Sequence, residues 1–91
     1  MDYIKHKSFV ECNSADIKLG TVGTLGTIGQ CASDCLQTPG CRFFIYGHGS
    51  RSEECWWEYT KTADCSEGWK NNQFDFYEIA GIIFINQPFI N

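Results

Sequence analysis

The stretch from Cys31 to Cys55, CASDCLQTPGCRFFIYGHGSRSEEC, constrains this chain more than any other. Cys31 and Cys35 are four residues apart, so a helix through them sets both sulfurs on one face, one above the other. Pro39-Gly40 ends that helix, and Cys41 and Cys55 fall on the two strands of the hairpin that follows. Six cysteines in 91 residues, an even number, predict a disulfide framework and an oxidising compartment. At this length a hydrophobic core alone is marginal, and each bridge adds about 2–4 kcal/mol. A zinc protein is the alternative for so many cysteines. It would show paired C-x-x-C spacings, which are absent, and His6 and His48 stand apart from any cysteine pair. No metal or cofactor is expected.

The net charge is −4, with lysine and arginine scattered along the chain. A phosphate-backbone binder needs a basic patch, so nucleic acid is not an expected partner. The N-terminal MDYIKHKSFVEC has no apolar core of the signal-peptide kind. The longest apolar run, near the C-terminus, contains Pro88 and is too short to span a bilayer. There is no N-x-S/T sequon.

In chain order, Tyr3 to Cys12 favours an edge strand, with Ile4, Val10 and Cys12 on one parity and Tyr3 and Phe9 on the other. Lys5, His6 and Lys7 suit a partly exposed edge. Asn13 to Asp16 reads as a turn. In LGTVGTLGTIG an aliphatic residue recurs every third position, at Leu19, Val22, Leu25 and Ile28, each followed by glycine. That period fits an extended path, read either as a loop whose aliphatics tuck under the domain or as a surface presenting Thr21, Thr24 and Thr27, with or without O-linked sugar. Thr27-Ile28-Gly29-Gln30 has the form of a capping box, so the helix is predicted to start at Ile28 and carry an apolar stripe of Ile28, Cys31, Ala32, Cys35 and Leu36. Strands are predicted at Cys41–Tyr46, Cys55–Tyr59 and Gln73–Ile79, with a polar glycine-rich loop, Gly47–Glu53, between the first two.

The run CASDCLQTPGCRFFIYG, then CWWE, then FDFYEI resembles the PAN/apple domain family over about residues 3–79. The resemblance implies a small α+β domain, one helix on a curved antiparallel sheet of about five strands, occupying residues 1–79. It implies two bridges from helix to sheet, Cys31–Cys55 and Cys35–Cys41, and an apple-type third bridge, Cys12–Cys65. It further implies a non-catalytic extracellular module of adhesion or binding, with glycans or extracellular proteins as partners. The residues agree on catalysis: His48, Ser50 and Glu53 are neighbours on a glycine-rich loop, which sets no triad geometry.

Two functional readings follow. If Cys55 faces the helix, alternation sends Trp56 and Glu58 to the other face. Trp56 with Tyr46 could then form an aromatic platform for a sugar ring, with Arg42, Glu58, His48 and Arg51 as hydrogen-bonding groups. The alternative is that these aromatics are a second core face, covered by the N-terminal strand. The tail, residues 80–91, gives the other reading. AGIIFINQPFIN is apolar on both parities, with Ile83, Ile85 and Phe89 on one and Ile82, Phe84 and Ile90 on the other. A strand of that kind wants burial on both faces. The expectation is a donor strand that adds to a second copy, head to tail, making a homo-oligomer or filament. A tail folded back on its own domain, or a linker to another module, is the alternative.

Overall fold

The computed structural model describes residues 2–20 and 25–80. Its helix, α1 (Ile28–Gln37), starts where the capping residue predicts: Thr27 is extended, and its Oγ1 accepts the Gln30 N–H at 3.1 Å. Thr38 closes the other end, its N–H donating to the Cys35 carbonyl. The chain then turns through Gly40, whose φ of +88° is glycine's own territory.

Five strands form one antiparallel sheet: β1 (Asp2–Cys12), β2 (Asp16–Lys18), β3 (Phe43–Gly47), β4 (Cys55–Glu58) and β5 (Trp69–Ala80). Their spatial order is β1-β5-β3-β4-β2. The three-residue β2 starts at Asp16, the last residue of the expected turn, and β5 starts four residues before its predicted beginning. A 3-10 turn, Gly49–Arg51, interrupts the loop between β3 and β4. Gly47 is obligatory there for a different reason: a Cβ on it would lie 1.9 Å from the Arg51 carbonyl oxygen.

Both faces of the sheet are buried. On the first, α1 packs Cys31, Ala32 and Cys35 against Phe44, Tyr77 and Ile79, with Leu19 beneath. Cys31–Cys55 ties the helix to β4, and Cys35–Cys41 ties it to the start of the hairpin. Leu25 and Ile28 also pack on this core, so those aliphatics of the glycine-punctuated stretch do tuck under the domain. Thr27 caps the helix, whereas Val22, Thr21 and Thr24 lie outside the described residues. Phe44 stacks on its register partner Tyr77 with ring centroids 5.1 Å apart.

The second face holds Val10, Phe43, Ile45, Phe74 and Phe76, with Trp56, Trp69 and Ala63 at its margin. Its cover is the far end of the β1–β5 ribbon. β3 stops pairing with β5 at Phe74, but β5 continues to pair with β1 as far as Trp69 opposite Cys12. That end curls over the sheet and is locked by Cys12–Cys65. Two bulges allow the curl, between Lys5 and Lys7 and between Ser8 and Val10. Phe9 sits in the second with φ +61°, its N–H donating to Asp75 Oδ1 and its ring 63% exposed. These bulges correct the parity read for β1: Val10 and Cys12 are buried, but Ile4 is exposed along with Phe9.

The bridges close chain segments of very different length, 53 residues for Cys12–Cys65 and 6 for Cys35–Cys41. Chain entropy then assigns about 4 kcal/mol to the first and about 2 kcal/mol to the second. Urea unfolding of the two double Cys→Ala variants should place Cys12/Cys65 clearly below Cys35/Cys41 in stability; equal losses would contradict this account.

Candidate functional site

The residues proposed for a sugar platform do not come together. Direct cross-strand partners share a face of a sheet. Tyr46 is opposite Cys55, so it lies on the helix face, where its hydroxyl donates to the Leu25 carbonyl at 2.8 Å. Trp56 is opposite Ile45 and lies on the other face. A platform of Trp56 with Tyr46 is therefore excluded. The platform requires the even-numbered residues of both strands, Tyr46 and Trp56, to share a face, but the register pairs even Tyr46 with odd Cys55.

Glu58 is corrected as well. It is fully buried in the second face and is not a group offered to a ligand. Its Oε2 accepts the Cys12 N–H at 2.9 Å and its Oε1 accepts the Ser14 hydroxyl at 2.8 Å. It also hydrogen-bonds Asp16, so one carboxyl joins β4 to the end of β1, the following turn and β2. Burial, then the hydrogen bond and negative charge of Asp16, push its pKa up to about 9, against the opposing pull of Ser14 and the Cys12 N–H. Glu58 thus keeps its proton at neutral pH and donates it to Asp16. Asp16 is itself raised, chiefly by desolvation, although the hydrogen bond from Glu58 lowers it. Carboxylate oxygens of Glu11, Asp16 and Glu58 all lie within 4.8 Å of one another. The proton of Glu58, Lys70 at 3.8 Å from Glu11 and the Asn72 amide bonded to Glu11 make that proximity tolerable.

Among the described residues, two clefts flank the sheet. The first, of about 230 Å³, is lined by Trp56 and Arg51 together with Glu11, Asp16, Glu54, Lys70, Asn72 and Phe74. Here Trp56 Nε1 donates to Glu54 Oε1 at 3.1 Å, and Arg51 pairs with Glu54 while lying over the Phe74 ring. Two of the predicted residues, Trp56 and Arg51, therefore share a site. The second cleft, of about 280 Å³, lies at the end where β3 begins and β4 ends, and is lined by Arg42, Trp57, Tyr59 and Lys61 among others. His48 and Tyr46 line neither. His48 turns to Asp75, with Nε2 3.3 Å from Oδ1, and packs edge-on against Phe9.

Arg42 is fixed by Glu78, which accepts from its Nε and one Nη, each at 2.7 Å, and is also 2.7 Å from His6 Nε2. Burial raises the Glu78 carboxyl, but these hydrogen bonds and charges outweigh it and its pKa is lowered.

Sequence reasoning missed Glu11, Asp16, Lys70 and Asn72. The overlooked signal is Glu58 itself: an acid inside CWWEY, between aromatic strand residues, needs a buried polar partner, and that partner is the unrecognised β2.

The Glu58 proton gives a pH prediction. Its folded pKa, about 9, exceeds the ordinary glutamate value of 4.5, so the folded state binds the extra proton between them. Stability should fall as pH rises through that window. Glu58→Gln keeps an acceptor for the Cys12 N–H and should flatten the slope, making the variant relatively more stable at pH 9 than at pH 5. Urea midpoints at both pH values test it; parallel profiles would refute the protonated carboxyl.

No curated protein and no solved structure matches the chain. A family model described as the PAN domain matches residues 2–81, the span that holds all five strands, the helix and the three bridges. The chain belongs to the PAN domain family.

Proposed function

We propose that this chain is a non-catalytic extracellular binding module that takes a carbohydrate through the cleft beside Trp56. PAN domains mediate protein or carbohydrate interactions and are generally non-catalytic, and three disulfides point to an extracellular environment. One observation carries the finer reading. Trp56, only half-buried, shares a cleft with charged and amide groups of both signs: Arg51 and Lys70, Glu11 and Asp16, and Asn72. An aromatic face bordered by convergent hydrogen-bonding groups is the chemistry a sugar ring requires, because its C–H face stacks while its hydroxyls need both donors and acceptors.

The tail supports a second reading, self-association of this module into a dimer or filament for adhesion or construction, whether secreted or held at a cell surface. Ile82, Ile83, Phe84, Ile85, Phe89 and Ile90 lie outside the described residues. What favours the reading is their two-sided apolar pattern.

On a glycan array, wild-type protein should bind a defined set of sugars, and folded Trp56→Ala should lose that binding; unchanged binding by the variant would remove Trp56 from the site. Light scattering on the full chain and on a chain lacking residues 81–91 tests the second reading. An oligomer that dissociates on truncation supports it, and two monomers end it.

A further inference from the structure

From the second cleft we infer that this protein has a separate site for a sugar acid, a single pyranose ring carrying a carboxylate. It shares no lining residue with the cleft beside Trp56, although Arg42 and Glu58, expected beside Trp56, border it instead. The aromatic walls come from β4 and the residue just beyond it. Trp57 and Tyr59 meet edge to face with ring centroids 4.5 Å apart, and Tyr59 is 45% exposed. They therefore form a corner with an open side.

Gly40 borders that corner: a Cβ on it would make an ordinary contact, 3.5 Å, with the Trp57 ring atoms Cη2 and Cζ2, and it is its φ of +88° that selects glycine. The hydrogen bond from the Tyr59 N–H to the Ala15 carbonyl, 2.9 Å, fixes the end of the strand.

Charge decides the ligand class. The ionised groups lining this cleft are Arg42, whose charge Glu78 already pairs, and Lys61, on a chain whose net charge is −4. Arg42 is held in place by Glu78, which is not part of the lining. Lys61 is exposed and makes no ion pair among the described residues. The only carboxyl in the lining is that of Glu58, which is buried and keeps its proton, so it does not repel an anion.

Volume decides the size. About 280 Å³ is near the lower end of ligand sites, about 300 Å³, which is room for one ring and not for an extended chain. An aromatic corner takes the ring, Lys61 takes the carboxylate, and Thr60 and the Gly40 backbone border the remaining edge.

Ligand-observed NMR and calorimetry with glucuronate, N-acetylneuraminate, glucose and an acidic tetrapeptide test this. One of the two sugar acids should bind about fivefold or more tighter than glucose at low salt, the effect of about one partly screened ion pair. The preference should shrink at 0.5 M salt. Lys61→Glu, at an exposed position, should abolish it, and Tyr59→Ala should weaken binding of the acid about tenfold. Trp56→Ala should leave it unchanged, which separates this site from the proposed cleft beside Trp56. Equal affinity for acid and neutral sugars, no binding of either acid at millimolar concentration, tighter binding of the peptide, or loss on Trp56→Ala would each overturn the inference.

Discussion

Phe43 and Phe44 are neighbours in the chain, and their rings point to opposite faces of one sheet, so neither face can be left to water. Phe44 stacks on Tyr77 under the helix, and Phe43 stacks on Phe76 on the other side. The helix covers one face only. The chain solves the second by prolonging β1 and β5 past the end of β3 and curling that ribbon back over the sheet. The bulges in β1, the left-handed Phe9 and the long Cys12–Cys65 closure all serve this single demand. A flat ribbon of the same length would leave Phe43, Ile45 and Phe76 exposed, at about 25 cal/mol for each Å² of apolar surface.

The curl has an electrostatic consequence. It brings the backbone N–H of Cys12 and the Ser14 hydroxyl to Glu58, in the middle of an aromatic strand. A buried carboxylate would be costly, and the observed solution is a carboxyl that keeps its proton and spreads its hydrogen bonds over three neighbouring elements. This arrangement also shapes the surface. The acid absorbed by the core cannot contribute charge to the cleft at the end of β4, where Arg42 and Lys61 are left as the charged lining. On the other side, Glu11, Asp16 and Lys70 border the cleft beside Trp56, which is why that cleft is polar with both signs. The cleft beside Trp56 lies at the margin of the second core, whereas the other is bordered by Phe43 and Glu58 of that core and by Trp57 of the helix-side core.

Much of the scaffold is legible in the residues. The capping threonine, the four-residue cysteine spacing, the Pro-Gly stop and the aromatic strands are local signals, and they give the helix and three of the strands within a few residues. The resemblance carried by CASDCLQTPGC, CWWE and FDFYEI gave the fold and the three bridges found in the structure. β2 was not legible because three residues show no periodicity, and the bulges of β1 were not legible because a bulge is set by what the strand must bend around. The site fared worse. Trp56 and Arg51 do meet, but Tyr46, His48, Arg42 and Glu58 go elsewhere, each drawn off by a partner distant in sequence: Leu25, Asp75, Glu78 and Cys12.

The elements, the oxidised framework and the alternation that sends neighbouring aromatics to opposite faces depend on residue type and short spacing, and so can be read from the residues alone. Which aromatics share a face is settled on folding, since cross-strand register couples β3 to β4 through an offset that parity alone does not reveal. Folding also decides which charges survive at the surface. Whether a carboxyl keeps its proton depends on the water removed around it and on donors 46 and 44 residues away, as for Glu58 with Cys12 and Ser14.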